Sequence, residues 1–509
     1  MNTAVKNIVI VGGGTAGWLT TAIIAAEHKQ AIANKNLHIT LVESSDIPTI
    51  GVGEGTWPTL KNTLREIGIS EQQFFASCNA TFKQGGKFVN WVHAEGDSYY
   101  HPFTYPLGYG RIDLAPYVDN IAHYAEETNY QHHVCEANLA PRRLSDGEYG
   151  GQCNYAYHFD AGAFAEMLKQ HCKDTLGVCQ LIATVDTVQQ HPSGDISAII
   201  LDNQQELSAD LFIDCTGSKS LLMGKTLKVK FISQSQHLFN DSALALHVPY
   251  PDTDSPIPSH TIATAQNAGW IWDIGLVTRR GVGHVYSSKY LSDDEAHHNL
   301  VNYLGVQNTD IEPRKITFDS GHREEFWHKN CVAIGMSAGF VEPLEATAIM
   351  LIELSARYVA QNLPPTQSVM PIIAKRFNQQ MTYRWSRIID FLKLHYALSR
   401  RPEAYWQAHQ QVSSWPDTLK EDLEIWHYRG PIHADFESAV ELFPAASYQY
   451  VIYGMGFKPN FASQADRYTQ SQQAEVIKQR NQQLTTQMLS TLPKHRDFIA
   501  SWLASSGAY

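Results

Sequence analysis

The chain has 509 residues, 43% of them hydrophobic and 18% charged, with a formal net charge of -12. That balance describes a folded globular protein with room for two or three domains. Without a run of Lys or Arg it excludes nucleic acid and an anionic membrane surface as partners, since both need a basic footprint. Seven scattered cysteines with no CxxC support neither a disulfide framework nor a zinc site, so no metal is expected. The N-terminus MNTAVKNIVIVGGG enters a strand at once, and no stretch of 18 apolar residues appears. A cytoplasmic protein with no membrane segment is expected.

In chain order, Asn7 to Val11 (NIVIV) is a short β-branched run of the kind buried in a parallel sheet. GGGTAGWLTTAIIAAEHK then turns to helical spacing, and LHITLVE (Leu37 to Glu43) reads as the next strand, completing a βαβ unit. Ser70 with Gln73 forms a capping signal for EQQFFASC, and Asp160 caps AGAFAEMLKQHC, where Phe164 and Leu168 share a face. DLFIDCTG (Asp210 to Gly217) and CVAIGMSAG (Cys331 to Gly339) are two further strand-then-glycine segments. The stretches 85 to 150 and 225 to 320, rich in Tyr, Trp, His and Gly, predict a second sheet with long loops. Within them, GWIWDIGL places Trp270, Trp272 and Ile274 on one side of a strand. Beyond about residue 380 the chain reads as helical, ending in a Gln-rich helix near 467 to 490. The expected domains are 1–380, a dinucleotide-binding core with an interleaved substrate-side sheet, and 381–509, a mainly helical region covering a substrate pocket.

Gly12, Gly14 and Gly17 form GxGxxG between strand and helix, with Gly13, Thr15 and Ala16 completing the cradle. The first glycine permits the tight turn, the second lets backbone approach a pyrophosphate, and the third lets helix and strand pack. The helix start adds N–H groups and positive dipole. Glu43 ends the second strand, somewhat beyond the usual spacing of about 20 residues, where a carboxylate holds a ribose hydroxyl. This pattern predicts FAD or NAD.

The later segments IDCTG and AIGMSAGF resemble flavin-contacting strands of FAD-dependent monooxygenases, which favours FAD. The resemblance places Val185, Gly335 and Ile349 among the cofactor contacts. The implied fold class is α/β, FAD-dependent monooxygenase-like, with a second mixed β-sheet and a helical C-terminal region. No second strand-GxGxxG serves a nicotinamide nucleotide, so reduced FAD is expected from a separate flavin reductase.

More specifically, GGGTAGW, ATFKQGGKFVNW (Ala80 to Trp91), YYHPF (Tyr99 to Phe103), GWIWDIG and GFVEPLEATAI (Gly339 to Ile349) together resemble the flavin-dependent tryptophan halogenase family. The resemblance runs from the first strand to about residue 360, with a fainter echo in SYQYVIYGMGF (Ser447 to Phe457). It implies an enzyme in which reduced FAD, oxygen and halide give hypohalous acid, which crosses an internal tunnel to an aromatic substrate. Lys83 matches the essential lysine and Glu345 the catalytic glutamate, with Glu342 as a nearby competitor. A lone lysine in a loop would ordinarily be solvated. Thr347 and Ala348 match the halide-binding pair. The pattern FxxPxxSxG survives as Phe340, Pro343, Ala346 and Ala348, so Ser and Gly have both become Ala.

His101 and Phe103 match substrate-pocket residues, and Trp270 and Trp272 match the barrier motif WxWxIP, whose final Pro is here Gly275, a change expected to loosen the turn. For the two tryptophans, core packing is the competing reading. Tryptophan-specific members carry a tyrosine pair before the SYQY-equivalent segment. This chain offers only YRGPIHADFESAVELFPAASY there. A small aromatic substrate such as an indole, a larger aromatic or a tryptophan within a peptide is therefore expected rather than free tryptophan, handled by a monomer or homodimer. The alternatives are an aromatic monooxygenase of the same fold and a non-catalytic flavin-binding protein.

Overall fold

The strand Asn7–Val11 lies inside a six-stranded sheet. Its neighbours, in order outward on one side, are Leu211–Asp214, Cys331–Ala333 and Trp327–His328, and on the other His38–Glu43 and Cys179–Ile182. All pairings are parallel except the edge pair Trp327–His328 with Cys331–Ala333. The register aligns Val11 with Val42 and Asp214, and Asp214 with Ala333. The strands therefore end together along one carboxyl edge, where open parallel sheets bind ligands.

The computed structural model describes residues 4–45, 53–305 and 312–505. Its contacts divide the chain into two units, Met1–Ala80 with Phe159–Gln234 and Asp319–Trp385, and Thr81–His158 with Ser235–Phe318 and Ser386–Tyr509. The first unit contains the parallel sheet. Helix Thr15–Glu27 is buried along nearly all its length because it packs on both Ala161–Asp174 and Thr347–Gln361. A helix apolar all round has no solvent face to keep polar. Asp160 caps Ala161–Asp174 by accepting from the Ala163 amide at 3.0 Å, and Ser70 caps Glu71–Cys78 from the Gln73 amide at 3.1 Å. Phe164 and Leu168 are fully buried.

The second unit is built on a seven-stranded sheet in the order Arg314–Thr317, Ser242–Pro249, Arg279–Tyr286, Gly269–Gly275, Thr261–Gln266, Gly85–Val89, Ser98–Pro102. It is mixed, because Thr261–Gln266 runs parallel to Gly85–Val89 and the other neighbours are antiparallel. Strand Gly269–Gly275 is buried at every residue. Helices dominate the C-terminal stretch, including Asp417–Trp426, Ala445–Gly454, Ser471–Thr491 and His495–Ala504. Ser471–Thr491 is the expected Gln-rich helix. The cysteines are free thiols, all buried except Cys179. Among the described residues no helix is long and apolar enough to cross a membrane.

Candidate active site

The glycine-rich turn in the first unit fits a dinucleotide. Gly12 has φ 115°, and a Cβ there would collide with the Cys215 carbonyl, so the chain can turn only without a side chain. A Cβ on Gly17 would overlap the Gly12 carbonyl, which is the close helix-to-strand approach the third glycine exists for. Gly14 faces open space instead, with nothing within 4 Å of its would-be Cβ. It is also the N-cap of helix Thr15–Glu27 and makes no side-chain cap bond, so backbone donors there remain for an anion.

Glu43 ends its strand with its carboxylate over Gly13, where a Cβ would overlap it. Trp18 Nε1 donates to its Oε2 at 3.1 Å, Gln180 donates to Oε1, and Lys169 Nζ lies 3.8 Å from Oε1. A carboxylate offers about four acceptor directions, so this anchored group keeps capacity for a ribose hydroxyl.

Gly335, with φ 74°, sits against the first turn of that helix, its would-be Cβ 2.7 Å from the Ala16 methyl. Ile349 is buried in the first turn of Thr347–Gln361, and Val185 opens the separate three-stranded sheet that also contains Ile196–Leu201 and Glu206–Ser208. Asp214 was not singled out from sequence. Fully buried, its carboxylate accepts from the amides of Thr216 (3.0 Å), Leu222 (2.9 Å) and Met223 (2.8 Å). It thereby fixes the turn that carries Thr216 and Gly217 and the π-helical segment Leu221–Thr226, a geometry that recurs at functional sites.

Also in the first unit, Glu345 is 6% exposed and lies in the loop before helix Thr347–Gln361. Neither it nor the buried Glu342 occupies the helix's first turn, which holds no acid. The N-cap, Ala346, adopts φ 54°, ψ 43° and supplies no side-chain cap. The amides of Thr347 and Ala348 thus open a helix whose first donors lack intrahelical partners, an anion-binding arrangement. The Ala348 residue is exposed.

In the second unit Lys83 is the last residue of strand Thr81–Lys83, paired antiparallel through Thr81–His158 and Lys83–Ala156. It is 4% exposed, with Nζ 5.4 Å from the centre of the Phe103 ring. The solvated-loop expectation therefore fails, because the lysine belongs to a short strand inside the core. Burial holds His158 well below the usual histidine range, and the Lys83 charge adds to this. His101 is buried, bonded through Nε2 to Ser447 Oγ at 2.9 Å, with Phe391 and Tyr450 at ring distances of 5.7 and 6.2 Å. Phe443 stacks on Phe391 at 3.8 Å. Ser447, Phe391 and Phe443 were missed from sequence, although Ser447 opens the SYQY segment.

Trp270 and Trp272 are both buried, 6.4 Å apart edge to face, and Trp270 packs 6.3 Å from Trp91. Trp272 leans over its partner Gly283 on the neighbouring strand, where a Cβ would collide with the indole. Core packing is thus part of what this pair does. Gly275 does not loosen the turn as expected. A Cβ there would lie 2.9 Å from Ile257 Cγ2 and 3.0 Å from the Tyr250 hydroxyl, so those side chains fill the space. The Tyr250 hydroxyl donates to the Leu276 carbonyl at 3.0 Å, and Thr81 Oγ1 donates to the Gly275 carbonyl at 2.6 Å.

Comparison with known proteins agrees with these features. Residues 7–470 match the family model described as tryptophan halogenase. The chain is 34% identical to the 7-chloro-L-tryptophan 6-halogenase KtzR of Kutzneria sp. (strain 744), covering 97% of this chain and 99% of that protein. A tryptophan halogenase structure from Shewanella frigidimarina NCIMB 400 superimposes with TM-score 0.94 at 45% identity, covering 99% of this chain and 98% of the other. BrvH, a flavin-dependent halogenase from Brevundimonas sp. BAL3, does so with TM-score 0.84 at 31% identity, covering 98% and 99%. With the glycine cradle, the capless helix start and the buried lysine in place, the chain belongs to the tryptophan halogenase family, flavin-dependent enzymes that halogenate tryptophan-like aromatics.

Proposed function

We propose that this chain is the halogenating component of a two-component cytoplasmic system. It would take reduced FAD from a separate flavin reductase, use oxygen with chloride or bromide, and halogenate an electron-rich aromatic such as an indole. The observation that carries this reading is Lys83, an ammonium 4% exposed on a strand beside the Phe103 ring, at the position of the family's lysine. Gly12, Gly13, Gly14, Thr15, Ala16, Gly17 and Glu43 would hold FAD, with Val185, Gly335 and Ile349 as further contacts, and the bound, reduced cofactor would supply the oxidation of halide by oxygen to hypohalous acid.

The amides of Thr347 and Ala348 hold the halide, a role that survives the replacement of side chains because backbone does the binding. Lys83 then takes the halogen donor, either by hydrogen-bonding hypohalous acid and polarising its oxygen–halogen bond or as an N-haloamine. His101 and Phe103 orient the ring so that one carbon faces the incoming halogen. As the carbon–halogen bond forms, positive charge spreads over the ring; Glu345 stabilises it and accepts the proton from the same carbon, and the hypohalous oxygen leaves as water. Trp270 and Trp272 keep the aromatic away from the flavin. The segment Tyr428 to Tyr448 carries the Arg429–Asp435 ion pair, packs Phe443 on Phe391 and has no tyrosine pair, which supports an indole, a larger aromatic or a tryptophan within a peptide over free tryptophan.

The test is a mass-spectrometric product assay with reductase, FAD, and bromide present or absent, across indoles, phenols and pyrroles. Lys83→Ala should abolish halogenated product while reduced flavin is still reoxidised. Glu345→Gln should slow halogenation by about 10²–10⁴-fold, the usual worth of a positioned acid–base group. Product that persists in Lys83→Ala removes the lysine from the mechanism, and oxygenated product independent of bromide identifies a monooxygenase instead.

A further inference from the structure

Ala346 is a non-glycine residue in the left-handed region, φ 54°, ψ 43°, directly before the helix whose first amides are assigned to halide. For an L-residue with a Cβ and no polar side chain to bond locally, this conformation costs about 1–2 kcal/mol. Such strain persists only where the surroundings over-determine it.

The peptide on its N-terminal side is pinned at both ends. The Ala346 amide donates to the Pro343 carbonyl at 3.0 Å, closing a turn. The Glu345 carbonyl accepts from Trp57 Nε1 at 2.7 Å. Trp57 is 8% exposed and precedes helix Thr59–Ile67, with its own carbonyl accepting from the Leu60 amide at 3.1 Å. Helices Thr59–Ile67 and Thr347–Gln361 are themselves joined further along, where Thr59 and Thr63 hydroxyls donate to the buried Glu353 carboxylate, Thr59 at 2.9 Å. Helix Thr347–Gln361 is therefore held at two levels, by Trp57 next to its start and by Thr59 and Thr63 of helix Thr59–Ile67 at Glu353.

We propose that Trp57 is a positioning residue for halide. Its indole N–H fixes the Glu345–Ala346 peptide so that Ala346 stays left-handed and the Thr347 and Ala348 amides point at the anion. This rests on the halide assignment made above. Trp57 touches neither halide nor flavin in this role; it acts through the peptide.

Trp57→Phe keeps an aromatic ring and deletes the donor. Expected is a roughly 10-fold rise in KM for bromide, the scale of one buried hydrogen bond, with kcat at saturating bromide and FAD affinity each within about 2-fold. Bromide titration of the FAD-loaded protein, read by displacement of chloride-35 NMR line broadening, should show the same weakening without turnover. The discriminating variant is Ala346→Gly added to Trp57→Phe. Glycine takes the left-handed conformation without strain, so bromide affinity should return to within about 3-fold of wild type. Loss of packing at Trp57 would not be repaired by a glycine in another segment. Unchanged bromide affinity in Trp57→Phe, or no recovery in the double variant, overturns the proposal. Wild-type protein without saturable bromide dependence defeats the halide reading itself, and the role of Trp57 with it.

Discussion

Replacing His495 should loosen the strand that carries Lys83, and the structure sets the size of the effect. His495 opens helix His495–Ala504 and is 1% exposed. Its Nε2 accepts from the Phe82 amide at 3.0 Å, and its Nδ1 donates to the Ile257 carbonyl at 3.1 Å. Only the neutral Nδ1–H tautomer satisfies both. Alanine leaves a buried donor and a buried acceptor unpaired at about 1–3 kcal/mol each, so local opening should become easier by about 2–6 kcal/mol. Glutamine offers both an acceptor and a donor, and should recover most of this.

The pH dependence has a definite sign. Burial is the main cause that pushes the His495 pKa down, from 6.5 to about 4. As pH falls, the unfolded chain takes up the proton before the folded one, so the contribution of His495 is complete above pH 6.5 and is lost on descending to about 4. A shift of that size corresponds to roughly 3 kcal/mol at about 1.36 kcal/mol per pKa unit. Desolvation pushes other histidines down in the same direction, among them the half-buried His132 and the buried His260 and His284. The informative quantity is therefore the difference between wild type and His495→Gln.

Hydrogen exchange of a peptide covering residues 80–86, corrected for intrinsic rates, reads the Phe82 amide directly. It also avoids assuming two-state unfolding of a chain with two units. Wild type should lose protection between pH 6.5 and 4.5, His495→Gln much less, and His495→Ala should be weakly protected at every pH. Full protection of residues 80–86 in His495→Ala, or the wild-type pH slope retained in His495→Gln, would refute the reasoning.

Two further outcomes are expected. Gly275→Pro should destabilise the second unit by about 1–3 kcal/mol through overpacking against Tyr250 and Ile257, seen as a lowered Tm, and Tyr250→Ala in the same chain should return part of it. Ser447→Ala removes the partner of His101 Nε2 and should raise KM for the aromatic about 2–10-fold, the range of one net hydrogen bond, with kcat little changed in a steady-state product assay.

What could be read from sequence was local and apolar. NIVIV, LHITLVE, DLFIDCTG and CVAIGMSAG each show an apolar run ending in a turn, because a parallel strand covered on both faces has no polar side to hide the signal. Together they became the inner strands of the parallel sheet. Cys179–Ile182 and Trp327–His328 were not legible, since edge strands of two to four residues are too short to show a period. Thr81–Lys83 is equally short, and what buries it arrives more than 400 residues later: Phe82 packs on Phe498 and bonds His495. A lysine whose surroundings are set at that distance reads as a loop residue until the chain is folded. The Trp57 contact with Glu345 spans 288 positions and Ala346 carries no left-handed preference, so neither left a sequence signal.

The departures from the family pattern are the informative part of this chain. At Gly275 the space of the missing ring is filled by Tyr250 and Ile257, from the connection between strands Ser242–Pro249 and Thr261–Gln266, and the Tyr250 hydroxyl donates to the carbonyl of the next residue. At Ala346, where the family pattern has a serine, the backbone is left-handed and offers no side-chain cap, and the indole N–H of residue 57 bonds the carbonyl just before it. In both cases a side chain lost within the motif is answered by one lying outside it, so motif matching alone would score two defects. The physical requirement was never the proline or the serine. It was a filled turn at the end of the tryptophan strand and a left-handed residue ahead of an uncapped helix, and any group that meets those demands lets the motif drift.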